Sequence, residues 1–202
     1  MPAIAGFIPP PCSNYIMLKL NAQTPRGKKA LEWARKGLRA WARENPKYCY
    51  ISTKENTYAD IDAIVGIPSV KFPTDVDTNV AAHMLYVGAE LDHVMEAKAR
   101  DMTKAKLFGA YGGKWLVSKD KLERGRDVAY ALRTDFYGLL VLVPDKVCYY
   151  TILAKYSEED GGLKWVIPFE VMKTETQKNI NGGTAFRENA YIDMREVEEI
   201  EI

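Results

Sequence analysis

The stretch Thr24–Pro46, TPRGKKALEWARKGLRAWARENP, is patterned for one regular element, an amphipathic α-helix. Thr24 suits the N-cap and Pro25 the first helical position, and Asn45-Pro46 supplies the stop. At the helical angular step, Ala30, Leu31, Ala34, Leu38, Trp41 and Ala42 gather on one side. Lys28, Lys29, Arg35, Lys36, Arg39 and Arg43 gather on the other, with Glu32 the only acid among them. Such a helix runs about 30 Å and needs a partner layer for its dry side.

Its neighbours predict that partner. Tyr15–Leu20, YIMLKL, and Tyr48–Thr53, YCYIST, read as strands, so strand, helix and strand form a β-α-β crossover with parallel strands. Thr57–Val65 reads as a short helix, Ser69–Phe72 as an extended piece and Pro73–Asn79 as a turn rich in capping residues. Val80, Met84, Val87, Leu91, Val94 and Met102 keep a three-four spacing, which predicts a long central helix over Val80–Lys106, with Gly109 beyond its end. In the C-terminal half, Lys114–Ser118 is a strand and Asp120–Thr134 a helix. Gly138–Val143 and Val147–Tyr156 form a hairpin around Pro144-Asp145-Lys146, and Leu163–Met172 is a further strand. Asn181-Gly182-Gly183 marks a turn, and Tyr191–Ile202 an acidic edge strand or a short helix. The class is α+β: a mixed sheet with an N-terminal β-α-β unit, a long central helix and a C-terminal antiparallel strand set. Residues 1–202 read as a single domain, with any lobe break near 109–113. Residues 1–13, stiffened by Pro9–Pro11, read as an N-terminal arm.

Charge is unevenly spread. Residues 1–50 carry nine Lys/Arg against two Asp/Glu, and residues 185–202 carry two against six. That gradient predicts a polyanion-binding face, head-to-tail self-association, or pairing of the two ends within one molecule. Cys12, Cys49 and Cys148 are isolated and odd in number, which excludes a disulfide framework or zinc ribbon and fits a reducing cytoplasm. No apolar run reaches the length of a membrane span, and the N-terminus lacks a basic leader region, so no membrane contact is expected.

Few constellations carry chemistry. The Asp60/Asp62 and Asp75/Asp77 pairs suit Mg²⁺ held through a nucleotide, though the first falls in the short helical pattern and the second caps the long helix. His83 and His93 stand ten residues apart on the predicted helix, too far to share an ion, and Glu90 with His93 is half of a bundle-type site. Gly109, Gly112 and Gly113 precede Lys114-Trp115 without the spacing of a phosphate loop. Tyr48, Tyr50, Tyr149, Trp165 and Phe169 lie on strands and read as core.

Two fragments resemble the Mg²⁺-dependent nuclease signature, a proline-aspartate followed by acid-x-lysine. Pro144-Asp145 is followed by Lys155 on the next strand, but Leu153 stands where that signature has its acid. Glu96-Ala97-Lys98 has the acid and the lysine but falls within the predicted long helix. Ile67-Pro68, after a short helix and before an extended piece, resembles part of a thioredoxin-like unit. Thr24, Pro25, Arg26 and Gly27 stand where that family has paired cysteines, which excludes thiol chemistry.

The leading expectation is a non-catalytic protein that binds nucleic acid, or an acidic protein surface, without a cofactor. Lys28, Lys29, Arg35, Lys36, Arg39 and Arg43 would contact phosphates, and Trp33, at the border of the two faces, would stack on a base. The alternatives are a homo-oligomeric assembly subunit and a metal-dependent phosphotransfer enzyme or degenerate nuclease.

Overall fold

The computed structural model of the chain describes residues 24–52, 61–68, 90–159, 161–175 and 186–202. Helix α1, Pro25–Glu44, starts and stops where its capping residues place it. Thr24 Oγ1 accepts the Gly27 N–H at 3.0 Å, and the Asn45 N–H closes onto the carbonyls of Trp41 and Ala42. Strands β1 (Cys49–Ser52), β2 (Ala63–Ile67) and β3 (Glu90–Arg100) follow. Then come a π-helical turn at Lys106–Ala110, β4 (Lys114–Ser118) and helix α2 (Lys119–Leu132). The chain continues through β5 (Asp135–Leu142), β6 (Val147–Ser157), β7 (Gly162–Trp165), β8 (Phe169–Glu175), β9 (Phe186–Asp193) and β10 (Glu198–Glu201). The class is α+β.

The main sheet runs in the order β1-β2-β3-β5-β6-β10, with β7 also paired to β6. Its one parallel pair among the described strands is β3 with β5, joined by the excursion through β4 and α2; the other pairs are antiparallel. Strands β4, β9 and β8 form a second, antiparallel sheet. Helix α1 covers one face of the main sheet: Ala34, Leu38 and Trp41 pack with Met95, Ala97, Ala99, Leu139 and Val141. Helix α2 and the second sheet cover the other, where Leu122, Trp115, Val117 and Ile192 pack with Val94, Phe136, Leu140 and Leu153.

Two helical expectations are corrected. Glu90–Arg100 is a strand, and so is Ala63–Ile67. Strand β3 is central and covered on both faces, so consecutive residues from His93 to Ala97 are all buried and no alternation marks the strand in the sequence. The predicted Leu163–Met172 strand is two, β7 and β8, which belong to different sheets and are divided around Pro168. Strand β1 pairs antiparallel with β2, and β3 with β5 is a parallel pair among the described strands; the strand expected before α1 lies outside them. Ile67 ends a strand, with Pro68 following it, so the thioredoxin-like order of short helix then strand is absent there. The acidic C-terminal segment is edge strand β10, held on β6. Tyr15–Leu20, the Pro9–Pro11 arm, residues 69–89 and Asn181–Gly183 lie outside the described residues.

Candidate active site

Antiparallel pairing of β2 with β3 sets Ala63 opposite Met95, which brings Asp62, just before β2, beside Glu96. The Asp62 N–H donates to the Met95 carbonyl at 2.9 Å, and the Ala97 N–H donates to Asp62 Oδ2 at 2.9 Å. Alternation along β3 turns Met95, Ala97 and Ala99 toward α1 and Glu96, Lys98 and Arg100 toward α2. Helix α2 lies close on that face because Gly125 rests on Phe136; a Cβ at Gly125 would meet the ring at 2.5 Å. From the first turn of α2, Lys121 Nζ donates to both carboxylate oxygens of Glu96, at 2.8 and 2.7 Å, and stands 3.6 Å from Asp62 Oδ2. Arg100 donates to the Leu116 carbonyl at 2.7 Å and ties β4 to the same face.

Glu96 is 1% exposed. Burial and then the charge of Asp62 push its carboxyl up to about 8, against the pull of Lys121. Burial works to lower Lys121, yet the charges of Glu96 and Asp62 outweigh it and hold the ammonium above its usual range. Burial drives Lys98 down, the Glu96 charge opposes this, and the Lys121 charge adds to it. Asp62 and Glu96 repel one another across the ammonium they share, a strain that a second positive charge between them relieves. A proton on Glu96 supplies it, and so would a divalent cation.

The donor set bears on which cation. Among the described residues no group of three His, Cys, Asp or Glu side chains converges. Two carboxylates with the remaining positions left to water and phosphate suit Mg²⁺ or Mn²⁺, which keep several oxygen ligands from outside the protein. They do not suit zinc, which takes three or four protein ligands with His or Cys among them.

The sequence contained these residues but not their assembly. Asp62 stood out only as half of an Asp-x-Asp pair in a supposed helix, and Glu96-Ala97-Lys98 in another. Nothing in the sequence singles out Lys121, which is one of several lysines at the start of an amphipathic helix. The other nuclease-like fragment stays incomplete: Leu153 is buried apolar core, and Asp145 Oδ2 accepts the Lys104 N–H at 2.6 Å. Asp60, Asp75, Asp77 and His83 lie outside the described residues. Glu90 is exposed and His93 buried on a strand interrupted by a bulge at Asp92, so the one-turn helical spacing that a bundle-type metal pair needs is absent. The His93 ring stacks near Tyr137 at 4.0 Å and meets Trp41 and Tyr48 edge-on, while its Nδ1 faces Asp92 at 2.6 Å. Of the strand aromatics, Tyr149 is buried, and Trp165 packs edge-on against Phe169 at 5.0 Å.

The basic face of α1 lies across the sheet from this site. Lys28, Lys29, Arg35, Arg39 and Arg43 are exposed. Lys36 pairs with Glu32 at 2.9 Å and lies over the half-buried Trp33 ring at 4.5 Å. Arg39 reaches the Tyr50 hydroxyl, and Arg43 bonds Glu44 and the Glu201 carbonyl. No helix among the described residues is long and apolar enough to cross a membrane. Comparison with family models, with curated proteins and with solved structures gives no match.

Proposed function

We propose that the chain is a metal-dependent phosphodiester hydrolase acting on nucleic acid, with Asp62, Glu96 and Lys98 as its signature residues. What carries this reading is the convergence of Asp62 with Glu96 and Lys98 on one face of a strand pair, beside the Lys121 ammonium. An aspartate paired across strands with acid-x-lysine supports the nuclease-like reading, with Ile61 standing where that signature has its proline. A buried carboxylate held against a second one costs stability, which favours a functional reason for it over a structural one.

Asp62 and Glu96 would hold the ion. Bound there, Mg²⁺ or Mn²⁺ supplies a Lewis acid for a phosphoryl oxygen and a water of lowered pKa. Asp62 is oriented by the Ala97 N–H, which donates to its Oδ2. Lys98, one strand step from Glu96 and depressed by burial, orients the attacking water and takes up its proton. The water oxygen bonds to phosphorus, the bond from phosphorus to one sugar oxygen breaks, and that oxygen leaves with a proton drawn from solvent water, which the Lys98 ammonium then replaces.

The test is cleavage of labelled single- and double-stranded DNA and of RNA with Mn²⁺ or with chelator. The wild-type chain should cut in Mn²⁺ alone. Asp62→Asn and Glu96→Gln should be inactive, and Lys98→Met slowed about 10²–10⁴-fold. Cleavage that survives Glu96→Gln overturns the assignment.

A second reading rests on a separate observation, the exposed cations of α1, and concerns binding alone. Lys28, Lys29, Arg35, Lys36, Arg39 and Arg43, with Trp33 beside them, would retain a polyanion by contacts to about four or five phosphates. Its mark is a mobility shift of generic DNA or RNA that weakens steeply with salt and disappears in the Arg35→Glu, Arg39→Glu variant.

A further inference from the structure

We infer that Lys121 is the resident cation of the Asp62–Glu96 pair, which a divalent ion must displace, and that the displaced ammonium then contacts the phosphate being cut. The inference rests on the hydrolase reading and adds a residue that the nuclease-like signature does not contain.

The first half follows from position. Lys121 Nζ lies within 2.8 Å of both Glu96 oxygens and 3.6 Å from Asp62, so it fills the place from which one ion would bridge both carboxylates. An ammonium and a divalent cation a few ångströms apart in a half-dry site repel about as strongly as either is drawn to one carboxylate. They cannot share that place.

The second half follows from mobility and chemistry. Glu96 is locked in the middle of a central strand and is 1% exposed, whereas the Lys121 side chain is 28% exposed and hangs from a helix by four methylenes. The lysine is the member able to move, and outward is its open direction. Among the described residues its hydrogen-bond and ion-pair partners are Glu96 and Asp62. Once an ion takes them, the nearest anion is a phosphate on that ion, and Lys121 would meet it from the helix side as Lys98 meets the water from the strand side.

The two halves predict opposite signs for one substitution, which a merely structural lysine would not produce. Mn²⁺ affinity, measured by calorimetry without nucleic acid, should rise about tenfold or more in Lys121→Met. Turnover of single-stranded DNA at saturating Mn²⁺ should fall in the same protein. Lys121→Arg, which keeps the charge, should show neither the tighter metal binding nor the full loss of turnover. Lys121→Gln replaces the Met variant if that one does not fold. Metal binding that is unchanged or weaker in the neutral variants, while Glu96→Gln abolishes it in the wild type, overturns the inference and leaves the hydrolase reading standing. No Mn²⁺ binding by any of these proteins overturns both.

Discussion

Glu96 is the residue on which the chemistry turns, and its environment makes a stability statement that needs no substrate. Its carboxyl is raised from an ordinary value near 4.5 to about 8, by burial first and the Asp62 charge second. A raised carboxyl binds its proton more tightly in the folded chain than in the unfolded one, so folding is favoured where that proton is present. The contribution is complete below the unfolded pKa and is lost as pH rises through the folded one. In chelator, the melting temperature of the wild-type chain should therefore fall relative to that of Glu96→Gln between about pH 5 and pH 8. Mn²⁺ should restore it, more fully at pH 8 than at pH 6, because the ion and the proton compete for one carboxylate. Scanning calorimetry of the two proteins at matched ionic strength reads this directly. Parallel curves for both would mean that Glu96 is ionised and satisfied by Lys121 throughout.

Among the elements, α1 was legible and β3 was not, for opposite reasons. Helix α1 has one dry face and one wet face, so its period is written in the residues, and both caps form as Thr24 and Asn45 indicate. Strand β3 is wanted dry on both faces, and its run of buried residues loses the alternation that identifies a strand. The chance three-four spacing of Leu91 and Val94 with more distant residues then imitates a helix. That one misreading hid the site, since it placed Glu96-Ala97-Lys98 on the wrong scaffold and left Asp62 without a partner 34 residues away. Lys121 was beyond reach for a different reason. Its place depends on how closely α2 approaches the sheet, which Gly125 and Phe136 decide, and no local pattern encodes that distance. The same logic of close approach governs α1. A Cβ at Gly37 would lie 2.3 Å from Val141 Cγ2, a buried and β-branched neighbour with little freedom to turn away. Gly37→Ala gains about 1 kcal/mol of helix propensity, yet overpacking of about 1–3 kcal/mol should outweigh it. Urea unfolding should show a net loss of about 1 kcal/mol, and a more stable variant would mean that α1 rides further from the sheet.

At the scale of the whole molecule, the main sheet separates two charged surfaces of different character. On one side the cations of α1 face solvent; on the other, Glu96 is buried while Asp62, Lys98 and Lys121 around it are half-buried beside α2. The acidic C-terminal strand is already engaged within the chain: β10 pairs with β6, Lys104 bonds Glu199, and Arg43 bonds the Glu201 carbonyl. It therefore screens only the C-terminal end of α1. Helix and sheet layers stack about 10 Å apart, and charges that far apart interact weakly through solvent at physiological salt. The two surfaces should then act independently. Glu96→Gln should abolish Mn²⁺-dependent cleavage and the Mn²⁺-induced rise in melting temperature while leaving DNA retention at low salt unchanged. Arg35→Glu with Arg39→Glu should do the converse: retention falls and the Mn²⁺-induced rise stays intact. Cleavage in that double variant should drop through a higher KM with kcat preserved, because uniform binding has been removed and the reacting groups are untouched. A fall in kcat instead would mean that a single nucleic-acid strand must reach both faces at once, which a sheet of this width would permit only by way of its edge.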